Sequence, residues 1–291
     1  MANPSPAKEG GSLRPRQELP KLTLPAEGHL PVAIVVGKGA EVLDFCGPLE
    51  VFANAMTSGG KATFDPFLVA ESEKPVQVSG GMTVVPKHSF KNAPMPKIIV
   101  IPAMSDEAAS AEMLDWIRKA SQSTDVTMSV CNGVFILAKT GLLDGRRATA
   151  HHGGYFRLAA TFPKIQLIRG SRYVEDGKFA CAGGVSSGID LALRIVERYE
   201  GNEAAQEVAD VIEYQGKGWL DPHSATPYST LVVSGEGHPR CPMCGMECDK
   251  SISYIYKGKT YYFCCKSDRQ LFVEHPKLVD QFQKETLQTK H

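Results

Sequence analysis

Net charge of one sign is missing from this chain: 32 lysines and arginines balance 32 aspartates and glutamates. Without a basic excess there is no electrostatic footprint for a nucleic acid, so no nucleic-acid partner is expected. No apolar run reaches the roughly 18 residues that a membrane-spanning helix needs, so no membrane partner is expected either. The first 30 residues, MANPSPAKEGGSLRPRQELPKLTLPAEGHL, lack the apolar centre of a secretory signal. They are polar and rich in proline and glycine, which reads as a disordered arm on a cytoplasmic protein. Long internal repeats are absent too. What is present is ordinary for a globular protein: 43% hydrophobic and 22% charged residues in 291 positions. That length suffices for one large domain or two modest ones, with a core that needs no disulfide staples.

The eight cysteines are unevenly placed. Cys46, Cys131 and Cys181 are far apart, whereas Cys241, Cys244, Cys248, Cys264 and Cys265 crowd the last quarter. In so long a chain without a signal, such a cluster reads as metal or redox chemistry rather than as a disulfide scaffold.

Short apolar runs alternate with helical patterns over the first two thirds. PVAIVVG (31–37), TFDPFLVA (63–70), MTVVP (82–86), KIIVIPA (97–103), VTMSV (126–130), RATAH (147–151), IQLIRG (165–170) and FACAG (179–183) read as strands. LDFCGPLEVFANAM (43–56) predicts a helix with Pro48 in its first turn and Leu49, Phe52 and Ala53 on one face. Further helices are expected over 106–122, 133–143, 187–201 and 202–215. Strands alternating with helices of this length predict an α/β fold, a parallel sheet sandwiched by helices. Ligands of such sheets bind beyond the carboxyl ends of the strands, here the tips of 31–37, 97–103 and 126–130.

Residues 216–238 are rich in Gly, Pro, Ser and Thr and read as a linker. A compact Cys-rich unit follows at 239–285. In it SISYIYKGKTYYFC predicts a β-hairpin turning at Lys257-Gly258-Lys259, and DRQLFVEHPKLVDQF predicts a helix.

The stretch VTMSVCNGVFILAKTG sends a strand into a helix through Cys131-Asn132-Gly133. A cysteine at such a turn is held above the sheet beside a helix N-terminus, whose dipole and free N–H groups lower a thiol pKa. Gly133 permits close backbone approach. The alternative is a small thiol buried in the core, a common fate of free cysteine. His151 or His152, about twenty residues on, would serve as base or orienter of a thiol, or else be an ordinary histidine. Asp44, at the tip of the first strand, would hydrogen-bond the Cys131 sulfur and move protons, or else cap the following helix. Glu50, deeper in that helix, points to solvent.

LDFCGPLEVF, IVIPA, VCNGVFILAKTGLLDGRRATAHH and GGVSSGIDLALRIVE, in this order, resemble the DJ-1/PfpI superfamily over residues 31–215. The likeness is greatest to the branch of isonitrile hydratases and the amidase-like domains of AraC-type regulators. The resemblance implies a flavodoxin-like sandwich, commonly a homodimer without a cofactor in this domain. It implies a reactive cysteine at Cys131, its contacting acid at Asp44 and a histidine at His151. It also implies a substrate pocket formed near Asn132, Gly133, Ala103, Met104 and His152. Two positions depart from the family pattern. A Gly-Gly pair that helps form an anion pocket is replaced by Ala103-Met104, and Asn132 stands where isonitrile hydratases carry Thr or Ser.

Cys241-x-x-Cys244, with Cys264 and Cys265 about twenty residues on, approaches the spacing of a treble-clef metal site. Thiolates favour Zn²⁺ or Cu⁺. CPMCGM, YKGKTYYFC, LF and HPKL, in order, resemble the YHS domain, which implies a small metal-associated module. Cys244 and Cys264 match that motif, and Cys241, Cys265 and Asp268 are the candidates to complete the coordination. The whole chain therefore predicts a small-molecule hydrolase or hydro-lyase with Cys131 as nucleophile. The alternative is a redox- or metal-responsive sensor in which Cys131 is a low-pKa thiol.

Overall fold

A computed structural model describes residues 18–57, 59–229, 239–248 and 250–288, with side chains described as far as Phe282. The expectation of a disordered arm over 1–17 lies outside these residues. Along the chain run β1 (Leu30–Val35), α1 (Val42–Asn54), β2 (Phe64–Ala70), β3 (Val76–Gln77), β4 (Thr83–Val84), β5 (His88–Ser89) and β6 (Ile98–Ile101). Then come α2 (Ala111–Ala120), β7 (Val126–Val130), α3 (Gly133–Lys139), β8 (Arg147–Ala148), α4 (Tyr155–Thr161), β9 (Gln166–Leu167), β10 (Tyr173–Asp176) and β11 (Phe179–Ala182). The remainder is α5 (Ser187–Glu200), α6 (Asn202–Val211), β12 (Ser253–Tyr256), β13 (Lys259–Tyr262), α7 (Lys266–Glu274) and α8 (Lys277–Gln288).

Seven strands form the main sheet in the order β10-β11-β7-β6-β1-β2-β5, parallel except that β10 runs antiparallel to β11. The central strands β1 (LPVAIV), β6 (IIVI) and β7 (VTMSV) are buried at nearly every position, Thr127 and Ser129 included, because helices cover both faces. One face, with Val32, Ile34, Ile98, Val100 and Met128, packs against Phe45, Val51 and Phe52 of α1 and Leu191 and Ile195 of α5. The other, with Ala33, Val35, Ile99 and Ile101, packs against Met113 and Ile117 of α2 and Val134 and Leu137 of α3.

Several local expectations are corrected. Pro48 lies inside α1 rather than in its first turn, and the buried face is Phe45, Val51 and Phe52, with Ala53 exposed. RATAH and IQLIRG pair only with each other, through β8 and β9, outside the main sheet. MTVVP yields the two-residue β4, paired with β3 in a separate ribbon. The predicted 133–143 helix stops at Lys139, and the C-terminal helix is two helices, because His275-Pro276 interrupts it. An additional strand, β10, closes on β11 through Gly177 at φ 62°.

The residues flanking the first domain are docked on it. Leu22 N–H donates to the Arg198 carbonyl, and Leu22 and Leu24 pack on the core, so the arm is fixed over its last described turns. Nearby Glu175 of β10 accepts from Arg194 Nε at 3.0 Å and Arg198 Nη1 at 3.1 Å, a buried ion network tying β10 to α5. Residues 216–229, expected as linker, cover this domain: Trp219 is fully buried, and Tyr173 Oη donates to its carbonyl at 2.8 Å. The C-terminal hairpin and α7 complete a small unit. Its turn at Lys257-Gly258 has positive φ at both residues, as a two-residue hairpin requires.

On the outer side of the sheet, β5 pairs only with Val69 and Ala70 at the end of β2. Leu30 N→Thr63 O and Val36 N→Val69 O show that odd-numbered residues of β2 face β1. Lys87 N→Leu68 O and Phe90 N→Ala70 O show that even-numbered residues, Pro66 among them, face outward.

Candidate active site and metal centre

The elements deliver the expected residues to the carboxyl edge. Cys131 follows β7 directly and takes φ 58°, the left-handed region that a side chain bearing a Cβ avoids. Its N–H donates to the Ala182 carbonyl at 3.1 Å and the Gly183 carbonyl at 2.9 Å, which holds the strained turn. Gly133 is needed next: a Cβ there would lie 2.1 Å from the Ile101 carbonyl oxygen. The turn is therefore the sharp strand-to-helix elbow the sequence predicts.

Asp44 lies in the first turn of α1, completely buried, and is not its cap, which is Glu41. α1 is brought close by two glycines. A Cβ on Gly47 would lie 2.8 Å from Ile189, and one on Gly188 would press on Val130 and Pro48. Asp44 Oδ2 accepts the Ala103 N–H at 2.9 Å. Ala103 therefore serves the carboxyl rather than a substrate oxyanion, and Met104 is half-buried beside Gly37. Burial raises the Asp44 pKa to about 7, against the Ala103 hydrogen bond and a weaker one from the Cys131 thiol, which both lower it. By strict hydrogen-bond geometry Oδ1 has no partner among the described residues.

The thiol answers the helix-dipole expectation with a correction. Cys131 is 7% exposed, and burial first, then the Asp44 charge, push its pKa up to about 12. The Asn132 N–H lowers it but is outweighed, because desolvation and a neighbouring carboxylate both penalise a thiolate.

His151 does not reach the thiol by any hydrogen bond among the described residues. Its Nδ1 accepts the Gly153 N–H at 3.1 Å, which leaves the ring proton on Nε2. Its ring lies against His152, with centroids 4.1 Å apart, and beside Gly184, one residue beyond the Gly183 carbonyl that binds Cys131. Burial, then the adjacent His152, depresses its pKa to about 4, so it is neutral at physiological pH. His151 and His152 line a cleft of about 360 Å³ together with Tyr155, Arg172, Ser186 and Tyr228. Arg172 is locked there by the buried Asp190, and Tyr228 stacks on His152 at 5.2 Å. Arg172 and Tyr228 lie outside every motif legible in the sequence, so sequence reasoning missed them. Asn132 is exposed, with its amide oxygen close over Gly154.

In the C-terminal unit, one ligand atom each from Cys241, Cys244, Cys264 and Asp268 lies within 4.8 Å of the others. Asp268 Oδ2 accepts from the Cys241 and Cys264 thiols, both at 3.3 Å, and the Cys244 and Cys264 sulfurs are 3.4 Å apart. The Gly245 N–H to Cys241 carbonyl bond, 2.8 Å, folds CPMCG into a tight knuckle. Hydrogen bonding with Cys244, then burial, pushes the Cys241 thiol up, and burial pushes Cys264 up. The donor set fits a tetrahedral ion, whose thiolate sulfurs would stand about 3.8 Å apart. Cys265, an expected ligand, is instead the cap of α7: its sulfur accepts the Asp268 N–H at 3.4 Å and faces Ser267, outside the group. A helix start needs such an acceptor, and that use turns Cys265 away from the ligand point.

A model of the DJ-1/PfpI family matches residues 31–198, the segment that carries the elbow and both histidines. The isonitrile hydratase of Pseudomonas putida is 31% identical over 211 residues, covering 70% of this chain and 87% of that protein. The transcriptional regulator CdhR of Pseudomonas aeruginosa is 26% identical over 138 residues, 47% of this chain and 41% of the regulator. Among solved structures, a ThiJ/PfpI family protein from Pseudomonas syringae superposes with a TM-score of 0.59 at 28% identity, over 67% of this chain and 78% of that one. The family model spans more than half of the chain, and the chain belongs to the DJ-1/PfpI family.

Proposed function

We propose that the chain is a cysteine-dependent enzyme that hydrates or hydrolyses a small electrophilic molecule, with Cys131 as nucleophile and Asp44 as its proton carrier. The pairing of a strained, buried thiol with a buried carboxyl that titrates near 7 carries this reading. A carboxyl tuned to neutral pH is suited to take and return a proton in one cycle. As the Cys131 sulfur bonds to the electrophilic carbon, the thiol proton passes to the Asp44 carboxylate. Asp44 then gives that proton to the substrate. For an isonitrile that step leaves a thioimidate on Cys131. Water next attacks its carbon, and one water proton passes through Asp44 to the nitrogen. The other returns to the sulfur as the carbon–sulfur bond breaks, and the N-substituted formamide leaves. For an amide the Asp44 proton instead goes to the departing amine, and water releases the acid from the thioester. The similarity to an isonitrile hydratase makes an isonitrile the first substrate to offer, followed by amides and glyoxals.

A thiol pushed up rather than down weighs against the sensor alternative, which asks for a standing thiolate. The C-terminal unit, in this reading, holds one Zn²⁺ or Cu⁺ ion through Cys241, Cys244, Cys264 and Asp268. That ion would fix the knuckle to the helix start.

The test is turnover of an isonitrile, amide and glyoxal panel by the wild type and by Cys131→Ser. The serine variant is expected to fold, by circular dichroism, and to lose turnover. Equal rates in the two proteins, or a wild type inert on the whole panel, would sink the assignment.

A further inference from the structure

The knuckle and the histidine turn touch. A Cβ on Gly153 would lie 2.5 Å from the Cys244 carbonyl oxygen and 2.9 Å from its carbon, so the backbone of the CxxC loop rests on the turn that follows His151. The same turn sets the histidine ring, because the Gly153 N–H is the group held by His151 Nδ1. One helical step later Phe156 stacks on Phe272 of α7, with centroids 5.3 Å apart and planes 11° from parallel. α7 is the helix that carries Asp268 in its first turn. Two of the three ligand-bearing pieces of the C-terminal unit, the Cys244 loop and α7, thus bear on the one segment that presents His151 and His152 to the cleft.

We propose that a metal ion bound by Cys241, Cys244, Cys264 and Asp268 orders residues 151–156 and thereby fixes His151 in the cleft, making the C-terminal unit a metal-dependent clamp on the wall of the histidine cleft. This rests on the metal reading given above. The four groups stand close enough to share one ion, with S···O and S···S separations of 3.3–3.4 Å, and thiol hydrogen bonds by themselves are weak restraints. Coordination replaces them with short bonds to one centre and removes the freedom of Cys244 and α7 relative to each other. Gly153 and Phe156 lie against both and lose freedom with them. Ordering of one site by a ligand at another is a coupling free energy, and it acts in both directions.

The experiment is hydrogen exchange by mass spectrometry on the full chain, stripped with a chelator and then given one equivalent of Zn²⁺. Bound zinc is counted in parallel. About one ion per chain is expected, together with exchange in the peptide covering 149–158 that slows on the order of ten-fold, while a peptide over 126–130 does not change. Cys244→Ser should abolish both effects. Gly153→Ala, which pushes on the Cys244 carbonyl but removes no ligand, should weaken zinc binding several-fold in competition with a chelator dye. Zinc bound at one per chain with unchanged exchange over 149–158 overturns the clamp and leaves the metal site standing. No stoichiometric zinc in the reduced chain overturns the metal site and the clamp with it.

Discussion

Asp44 is the residue on which the chemistry turns. An unfolded aspartate gives up its proton near pH 4, whereas Asp44 keeps its own to about 7. A raised pKa in the folded chain means that the neutral carboxyl favours folding fully below about pH 4, and that this contribution fades as pH rises to about 7. Asp44→Asn retains an oxygen for the Ala103 N–H and cannot ionise. Its stability relative to wild type should therefore rise by a few kcal/mol between pH 4 and 8, on the scale of about 1.4 kcal/mol per unit. Urea unfolding at the two pH values measures this, and a difference that does not change with pH contradicts the assignment. The same variant should alkylate faster at Cys131, since the carboxylate charge that holds the thiol up is gone, while turnover is lost. A thiol that becomes more reactive as the enzyme dies separates a proton carrier from an activator of the thiolate. In the wild type, turnover should climb with pH through about 7, where the carboxyl becomes free to accept the thiol proton, with the apparent value belonging to the pair.

At the scale of elements, α3 can begin where it does only because Gly133 lets it touch the end of β6. Gly133→Ala places a methyl 2.1 Å from the Ile101 carbonyl, backbone that cannot step aside. About 3 kcal/mol or more of stability should be lost, seen as a lower urea midpoint, and a change under 1 kcal/mol would show the turn to be compliant. The elbow was legible in the sequence because its signals are local: a β-branched run, then Cys131-Asn132-Gly133, then an apolar helix. The central strands were legible too, β1 and β6 as apolar runs and β7 as VTMSV before the turn, whereas Asp44, expected at the tip of the first strand, lies in the first turn of α1. β10 escaped although YVEDGKFACA turns through Gly177-Lys178, because Glu175 interrupts its apolar pattern. That glutamate is buried by partners 19 and 23 residues away, which no local window contains. The thiol pKa was misread for a related reason. The helix end beside Cys131 is visible in sequence, but the burial and the carboxylate that outweigh it come from distant segments. The role of Cys265 turned on one hydrogen bond to the Asp268 N–H, which spacing alone does not decide.

Across the whole molecule, the two units share an apolar seam. Phe156 is 1% exposed between Phe272 and Phe282, with centroids 5.3 and 6.0 Å away. Phe156→Ala should cost about 3–5 kcal/mol, read from denaturant unfolding of the full chain. A loss below 1 kcal/mol would mean that the seam contributes little to holding the units together. The outer edge of the sheet is treated in the opposite way. A strand edge is a template for any passing chain, yet β2 is overlapped by β5 at its end and carries Pro66 with its nitrogen outward. An approaching strand would meet a rung that donates nothing just where the ladder should start. Crowding many copies together therefore offers no easy seed for fibres on that flank, and the protein can be concentrated without its sheet being continued from one copy into the next.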